Sequence, residues 1–291
     1  MKLKLFAVIL FALFILSACR GDAITVTSTG ETPSRIVVNA PSTAEILVGF
    51  GLSDYIVAVD LHGADIVGLD RETTTFIDFW NLNVEEVLIL EPDLVIASEL
   101  FQAGAEGSFE LIQNAGIEVV YITDPSSMSE IFEQIELLGE ILGRQREAAE
   151  MMLEMQNTLN YVAERIAEIS EPRLVYFEIN PAPSIFTFGG NTFLNELLTL
   201  GGGANIFADE SGWFSPSEEA IILSNPDVIL TNVTHVPNAV EEIQNRPGWW
   251  SVTAVISEDV HLINTNYTSR HSQFVARGVL QIATALHPEL F

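Results

Sequence analysis

Residues 85–98 read EEVLILEPDLVIAS, and residues 219–232 read EAIILSNPDVILTN. Both stretches keep a glutamate seven residues before a Pro-Asp pair, Glu85 before Pro92-Asp93 and Glu219 before Pro226-Asp227. In each, an apolar run with helical spacing stops near the proline, which cannot continue a helix. A short β-rich run follows, 94–97 in the first copy and 228–230 in the second. The chain is therefore built from two halves of one design, each containing a helix that feeds a buried strand. An aromatic also sits six residues before each glutamate, Phe79 and Trp213. Two similar lobes with matched aromatics point to something held between them.

Working outward, β-rich runs alternate with helical ones, the pattern of parallel sheets with crossover helices. In the first half, 35–39, 56–59, 94–97 and 118–122 read as strands. Ser42 reads as the N-cap of a helix over 42–51, with Glu45 at its N3 position in a capping box. A helix from about residue 129 closes this half. Gly143 breaks the pattern, and 144–169 then runs without Gly or Pro. Its apolar residues Met152, Met155, Leu159, Val162, Ile166 and Ile169 fall on one stripe. At 1.5 Å per residue such a helix spans roughly 40 Å, long enough to join two lobes stiffly. In the second half, 174–179 and 184–188 read as strands and Gly189-Gly190-Asn191 turns into a helix over 192–200. Gly201-Gly202-Gly203 follows that helix and no lysine comes next, so it reads as a C-cap and not a phosphate cradle. A strand over 259–263 and a helix over 272–286 complete the chain. The expected fold is α/β: two lobes with mainly parallel sheets, joined by one long rigid helix, with a ligand cleft between them. The boundaries expected are a leader over 1–18, a tether over 19–34, lobes over 35–143 and 171–291, and the linking helix over 144–170.

The N-terminus sets the compartment. Lys2 and Lys4 precede an apolar run over 5–16, and Leu16-Ser17-Ala18-Cys19 follows. This has the charged start, short apolar core and small-residue cleavage site of a secretory signal. The L-S-A-C ending resembles the bacterial lipobox, which implies that Cys19, the single cysteine, carries the lipid. Residues 21–34, rich in Thr, Ser and Gly, read as a tether holding the body off the membrane on its extracytoplasmic face. Once the leader is removed about 270 residues remain, enough for two lobes with their own cores. Forty acidic against twelve basic residues, a net charge of −28, argues against nucleic acid and against direct adhesion to anionic lipid.

No catalytic motif stands out. Neither G-x-S-x-G nor H-E-x-x-H occurs, and nothing nominates a nucleophile. Adjacent acids such as Glu85-Glu86 or Glu218-Glu219 point in different directions on a helix, unlike a catalytic dyad, and their symmetry across the two lobes fits docking better than acid/base work. A secreted hydrolase and a purely structural surface lipoprotein are the rival readings. A bare-metal site would need several converging His and carboxylates, whereas His62, His235, His261, His271 and His287 are scattered.

Five stretches in order carry a resemblance: 35–59 RIVVNAPSTAEILVGFGLSDYIVAV, 92–98 PDLVIAS, 189–209 GGNTFLNELLTLGGGANIFAD, 215–231 SPSEEAIILSNPDVILT and the terminal ALHPELF. Together they resemble the substrate-binding lipoproteins of ABC importers for iron-siderophores, haem and cobalamin. The resemblance covers nearly everything after Ser34 and implies little closure on binding. It implies no intrinsic cofactor, a metal chelate as ligand, and an ABC permease dimer with its ATPase subunits as partner. By the same resemblance, Glu85 and Glu219 are the carboxylates that seat in arginine pockets of the permease, with Glu86 and Glu218 as neighbours one residue away. His62, Phe79 with the adjacent Trp80, and Trp213 are implied to face the ligand. Tyr267, Arg270 and His271 precede the last helix, where the family places polar ligand contacts. Arg270 is a candidate for an anionic group of the ligand, and Tyr267 with His271 for an iron site. The family's Pro-Arg is replaced here by Gln273-Phe274, which puts the register of 267–271 in doubt. With Arg270 and Arg71 as the only basic candidates, a neutral hydroxamate complex, a corrinoid or haem fits better than a tri-anionic catecholate.

Overall fold

The computed structural model describes residues 33–101 and 107–291, so the leader, Cys19 and the tether up to residue 32 lie outside the described residues. In the first half, β1 (Ile36–Val38), β2 (Ile56–Asp60), β3 (Thr75–Ile77), β4 (Leu94–Ser98) and β5 (Glu118–Ile122) form a parallel sheet of order β3-β2-β1-β4-β5. In the second, β6 (Arg173–Glu178), β8 (Gly203–Asn205), β10 (Val228–Thr231) and β11 (Val260–Leu262) form a parallel sheet of order β11-β10-β6-β8. A small antiparallel ribbon pairs β7 (Thr187–Phe188) with β9 (Trp213–Phe214). Around the first sheet lie α1 (Pro41–Gly49), α2 (Val84–Ile89), α3 (Ser108–Asn114) and α4 (Met128–Ile141). The 22-residue α5 (Gln145–Ile166) runs from one half to the other. The second half adds α6 (Phe193–Leu200), α7 (Glu218–Ser224), α8 (Ala239–Gln244), α9 (Thr253–Ile256), α10 (Thr265–Ser269) and α11 (Val275–Leu286).

The repeat is a structural one. In each half a short helix, α2 or α7, ends at a residue of positive φ, Glu91 (φ 46°) or Asn225 (φ 44°), and the Pro-Asp pair starts the next strand. The two aspartates do the same task. Asp93 accepts from the backbone N–H groups of Ser34 and Arg35 beside β1, at 2.8 and 3.1 Å. Asp227 accepts from the N–H of Leu174 in β6 at 2.9 Å. Each carboxylate thus satisfies a donor at the open end of the neighbouring strand, where the ladder has no partner for it.

Three apolar layers hold the fold. One continuous core takes residues from both sheets together with α1, α4, α5, α6 and α11, among them Ile36, Leu94, Met155, Val162, Phe177 and Val279. The outer face of the first sheet is closed by Val87, Phe109 and Ile112 from α2 and α3. That of the second is closed by Ile221, Ile243, Trp249 and Ala254. Because the central core is shared, the two sheets are not separate globules.

Several local readings need correction. The helix at residue 41 begins on Pro41 with Ala40 at the N-cap and no side-chain cap, so Ser42 caps nothing. Proline at the first helical position already removes one orphan donor, and Glu45 is recruited elsewhere, as described below. The last helix begins at Val275, not at Ser272. The segment at 184–188 is strand only at Thr187–Phe188, and the strands β3 and β8, three residues each, are too short to leave a periodic signal. The glycine run does act as a C-cap: Gly202 has φ +84°, the left-handed conformation favoured after a helix, and β8 starts on Gly203. No helix among the described residues is long and apolar enough to cross a membrane.

Candidate ligand cleft and docking surface

Parallel sheets leave a crevice beyond the carboxyl ends of their strands, and a cleft of about 690 Å³ lies there. Ile179 follows β6, Asn232 to His235 follow β10, and Thr265, Thr268 and Ser269 on α10 follow β11. Pro125 and Ser126, after β5, form a wall from the first half. Asn191, Thr192 and Phe193 at the start of α6 complete it beside Trp213. Among the described residues, no Lys, Arg, Asp or Glu lines this cleft. The polar groups are hydroxyls, amides and two imidazoles.

The walls are braced from behind. Asn232 donates to Thr268 Oγ1 at 3.0 Å and accepts from Thr265 through its carbonyl at 2.5 Å, which locks the end of β10 to α10. Asn191 accepts from the Gly212 N–H at 2.6 Å, and Gly189 donates to the Gly212 carbonyl at 2.8 Å, fixing the strand that carries Trp213. Trp213 is half exposed, at 50%, with its ring edge-on to Phe188 at 5.9 Å. The ring is thus braced by Phe188 and partly open among the cleft-lining residues.

His271 lines the same cleft, with its ring 4.3 Å from that of Phe193. Burial pushes its pKa down from 6.5, opposed by Asp124 and the Pro125 carbonyl, so it is a neutral imidazole at pH 7. No group of three or more His, Cys, Asp or Glu that would hold a metal ion occurs among the described residues.

The remaining expected ligand contacts lie elsewhere. Phe79 is 1% exposed and stacks on Phe109 in the outer core of the first sheet, with centroids 6.5 Å apart. It has no face left for a ligand. The turn Phe79–Asn81 is a 3₁₀ turn, in which successive side chains diverge by a third of a circle. Trp80 therefore points outward, 74% exposed against Phe101, though not among the cleft-lining residues. His62 is exposed and also outside the lining. Tyr267 packs on Phe274 at 5.9 Å instead of facing the cleft, so it does not join His271 in an iron site.

Arg270 is a clamp between the halves. It donates to Glu45 Oε1 at 2.8 Å, to the His62 carbonyl at 2.6 Å and to Asp65. Ser272 donates to the other Glu45 oxygen at 2.6 Å, Gln273 to the Glu45 carbonyl at 2.9 Å, and Asn266 to Asp65 at 2.8 Å. Arg270 was expected to face a ligand anion, but its guanidinium is committed to two carboxylates of the first half. The partner of Glu45 lies 225 residues away, a distance over which sequence spacing carries no information.

On the outer surface, Glu85 and Glu219 both sit in the first turn of their helices and are exposed. Neither carboxylate has a hydrogen-bond partner among the described residues. Their neighbours differ: Glu218 accepts from Trp249 Nε1 at 2.8 Å, and Glu86 accepts from Asn83 at 3.4 Å. The cleft residues Ile179, Asn232 and Thr265 were not singled out from the sequence. The usable signal was position: Ile179 and Asn232 follow directly on a strand end, and Thr265 comes three residues after one.

Comparison with known proteins agrees with this geometry. The family described as periplasmic binding protein matches residues 36–267. An uncharacterised ABC transporter substrate-binding lipoprotein of Bacillus subtilis, YvrC, is 33% identical over 263 residues, covering 90% of this chain and 82% of that protein. A crystal structure described as a possible iron-binding (periplasmic solute-binding) protein of Staphylococcus epidermidis is 26% identical with a TM-score of 0.74, over 88% of this chain and 100% of the other. The vitamin B12-binding protein of Vibrio cholerae is 25% identical with a TM-score of 0.69, over 88% and 98%.

Proposed function

The chain belongs to the periplasmic binding protein family, and from that premise we propose that it captures an uncharged metal chelate outside the cytoplasm and delivers it to an ABC permease. The observation that carries this reading is the lining of the cleft: Trp213, Phe193 and a neutral His271, with hydroxyls and amides and, among the described residues, no charged side chain. Aromatic faces give a flat ligand large contact area at low entropy cost. A cleft without cations would leave a tri-anionic catecholate uncompensated. A corrinoid or a ferric hydroxamate fits best, and haem, whose propionates need cationic partners, ranks behind them. Trp213 and His271 are the contacts assigned to the ligand, Glu85 and Glu219 the carboxylates that engage arginines on the permease, and Cys19 the lipid anchor.

The test is a thermal-shift and tryptophan-fluorescence series with cobalamin, a ferric hydroxamate and haem. Ligand that binds only the folded state must raise Tm. We expect a rise and quenching with cobalamin or the hydroxamate, both weakened in Trp213→Ala. No shift with any of the three, together with hydrolysis of an ester or glycoside, would establish the hydrolase reading instead.

A further inference from the structure

Two of the most exposed aliphatic side chains occupy the same place in the repeat. Ile89 on α2 is 79% exposed and Leu223 on α7 is 85% exposed. Each is the fourth residue after the matched glutamate, Glu85 or Glu219, so carboxylate and aliphatic share one helix face about one turn apart. Two residues before each comes the buried anchor of the helix, Val87 or Ile221, both 0% exposed. Two residues after each comes the positive-φ turn. Scattered surface aliphatics are ordinary in any protein. This pair is not scattered, because the two positions are equivalent by sequence, by helix and by orientation. Nor does the fold use them among the described residues: the outer cores take Val87 and Ile221, and neither Ile89 nor Leu223 packs into an apolar cluster there.

We propose that Ile89 and Leu223 are a matched pair of apolar docking contacts, each seating in a recess of one permease subunit beside the basic group that receives Glu85 or Glu219. This rests on the docking reading above and deepens it. A cation with an apolar recess about one helical turn away is the complementary surface, and it must occur twice, which two copies of a permease subunit supply. Charge selects the partner: a chain of net charge −28 is repelled by anionic lipid headgroups, so bare membrane is a poor occupant. Steering belongs to the carboxylates, while the aliphatics, once desolvated, slow dissociation.

The experiment uses the lipidation-free protein and its cognate permease–ATPase complex in nanodiscs, with empty nanodiscs of zwitterionic and anionic lipid alongside. Ile89→Ser and Leu223→Ser should each weaken importer binding about tenfold, and the double variant about a hundredfold. The loss should lie mainly in the dissociation rate. Tm and the thermal shift with cobalamin or ferric hydroxamate should stay at wild-type values, and Ile89→Leu should bind normally. Wild-type importer binding by the double serine variant, while Glu85→Lys with Glu219→Lys fails, overturns the inference and leaves the docking reading standing. Wild-type binding by all of these variants overturns both. Tight binding of the wild type to empty nanodiscs, lost in the serine variants, assigns the pair to lipid and also overturns the inference.

Discussion

Arg270 directs three hydrogen bonds into the first half of the molecule, and its guanidinium and the Glu45 carboxylate are both largely buried. Removing one member of a buried ion pair leaves the other charge without compensation. Arg270→Ala should therefore destabilise the protein by roughly 3 to 5 kcal/mol, measured by urea unfolding. Arg270→Met combined with Glu45→Gln should recover most of that loss. Two buried groups also set opposite pH slopes. Burial raises the Glu45 carboxyl above 4.5, against the hydrogen bonds from Ser272 and Arg270. The folded protein then holds that proton more tightly than the unfolded chain, so this group's contribution is fully present below 4.5 and is lost as pH rises through the folded value. His271 acts in the other sense. Its folded pKa lies below 6.5, so its contribution is present above 6.5 and is lost as pH falls through the folded value. His271→Asn should flatten the decline of Tm just below pH 6.5, with little change at pH 8.

At the scale of elements, the turn before α6 leaves no room for a side chain at either glycine. A Cβ at Gly190 would lie 2.1 Å from the Ala208 carbonyl oxygen, and one at Gly189 would lie 2.0 Å from that of Glu210. Backbone atoms cannot give way as a flexible side chain does. Gly190→Ala should cost about 1–3 kcal/mol by overpacking. It should also lower ligand affinity, since Asn191 and Thr192 at the cleft follow directly, and calorimetric titration of the purified variant checks both effects together with its Tm. The helix-to-strand repeat was legible because proline and helical spacing are local. Its aromatic was not: Phe79 and Trp213 match in spacing, but a 3₁₀ turn sends Phe79 inward and Trp80 outward, while β9 holds Trp213 at the cleft. A count of residues does not reveal which way a turn faces.

For the whole molecule, one apolar core spans both sheets, and the polar seam from Arg270, Ser272, Gln273 and Asn266 to Glu45 and Asp65 ties the halves on one side. Met128 N–H to Glu196 adds a tie at 3.0 Å between α4 and α6. A hinge motion would have to break these at once. Small-angle scattering with and without cobalamin or a ferric hydroxamate should accordingly show no measurable contraction on binding, whereas a clear drop in radius of gyration would mean that the seam opens. The sequence alone determined the two-fold repeat, the alternating parallel architecture, the acidic surface and the places of Glu85 and Glu219, because periodicity, proline and charge act within a few residues. Only the tertiary structure decided that Arg270 is a clamp, that Phe79 is core, and that the cleft is built from strand-end amides and hydroxyls. Those outcomes depend on which distant side chains meet after the sheets pack, and burial with long-range pairing leaves no mark on local spacing.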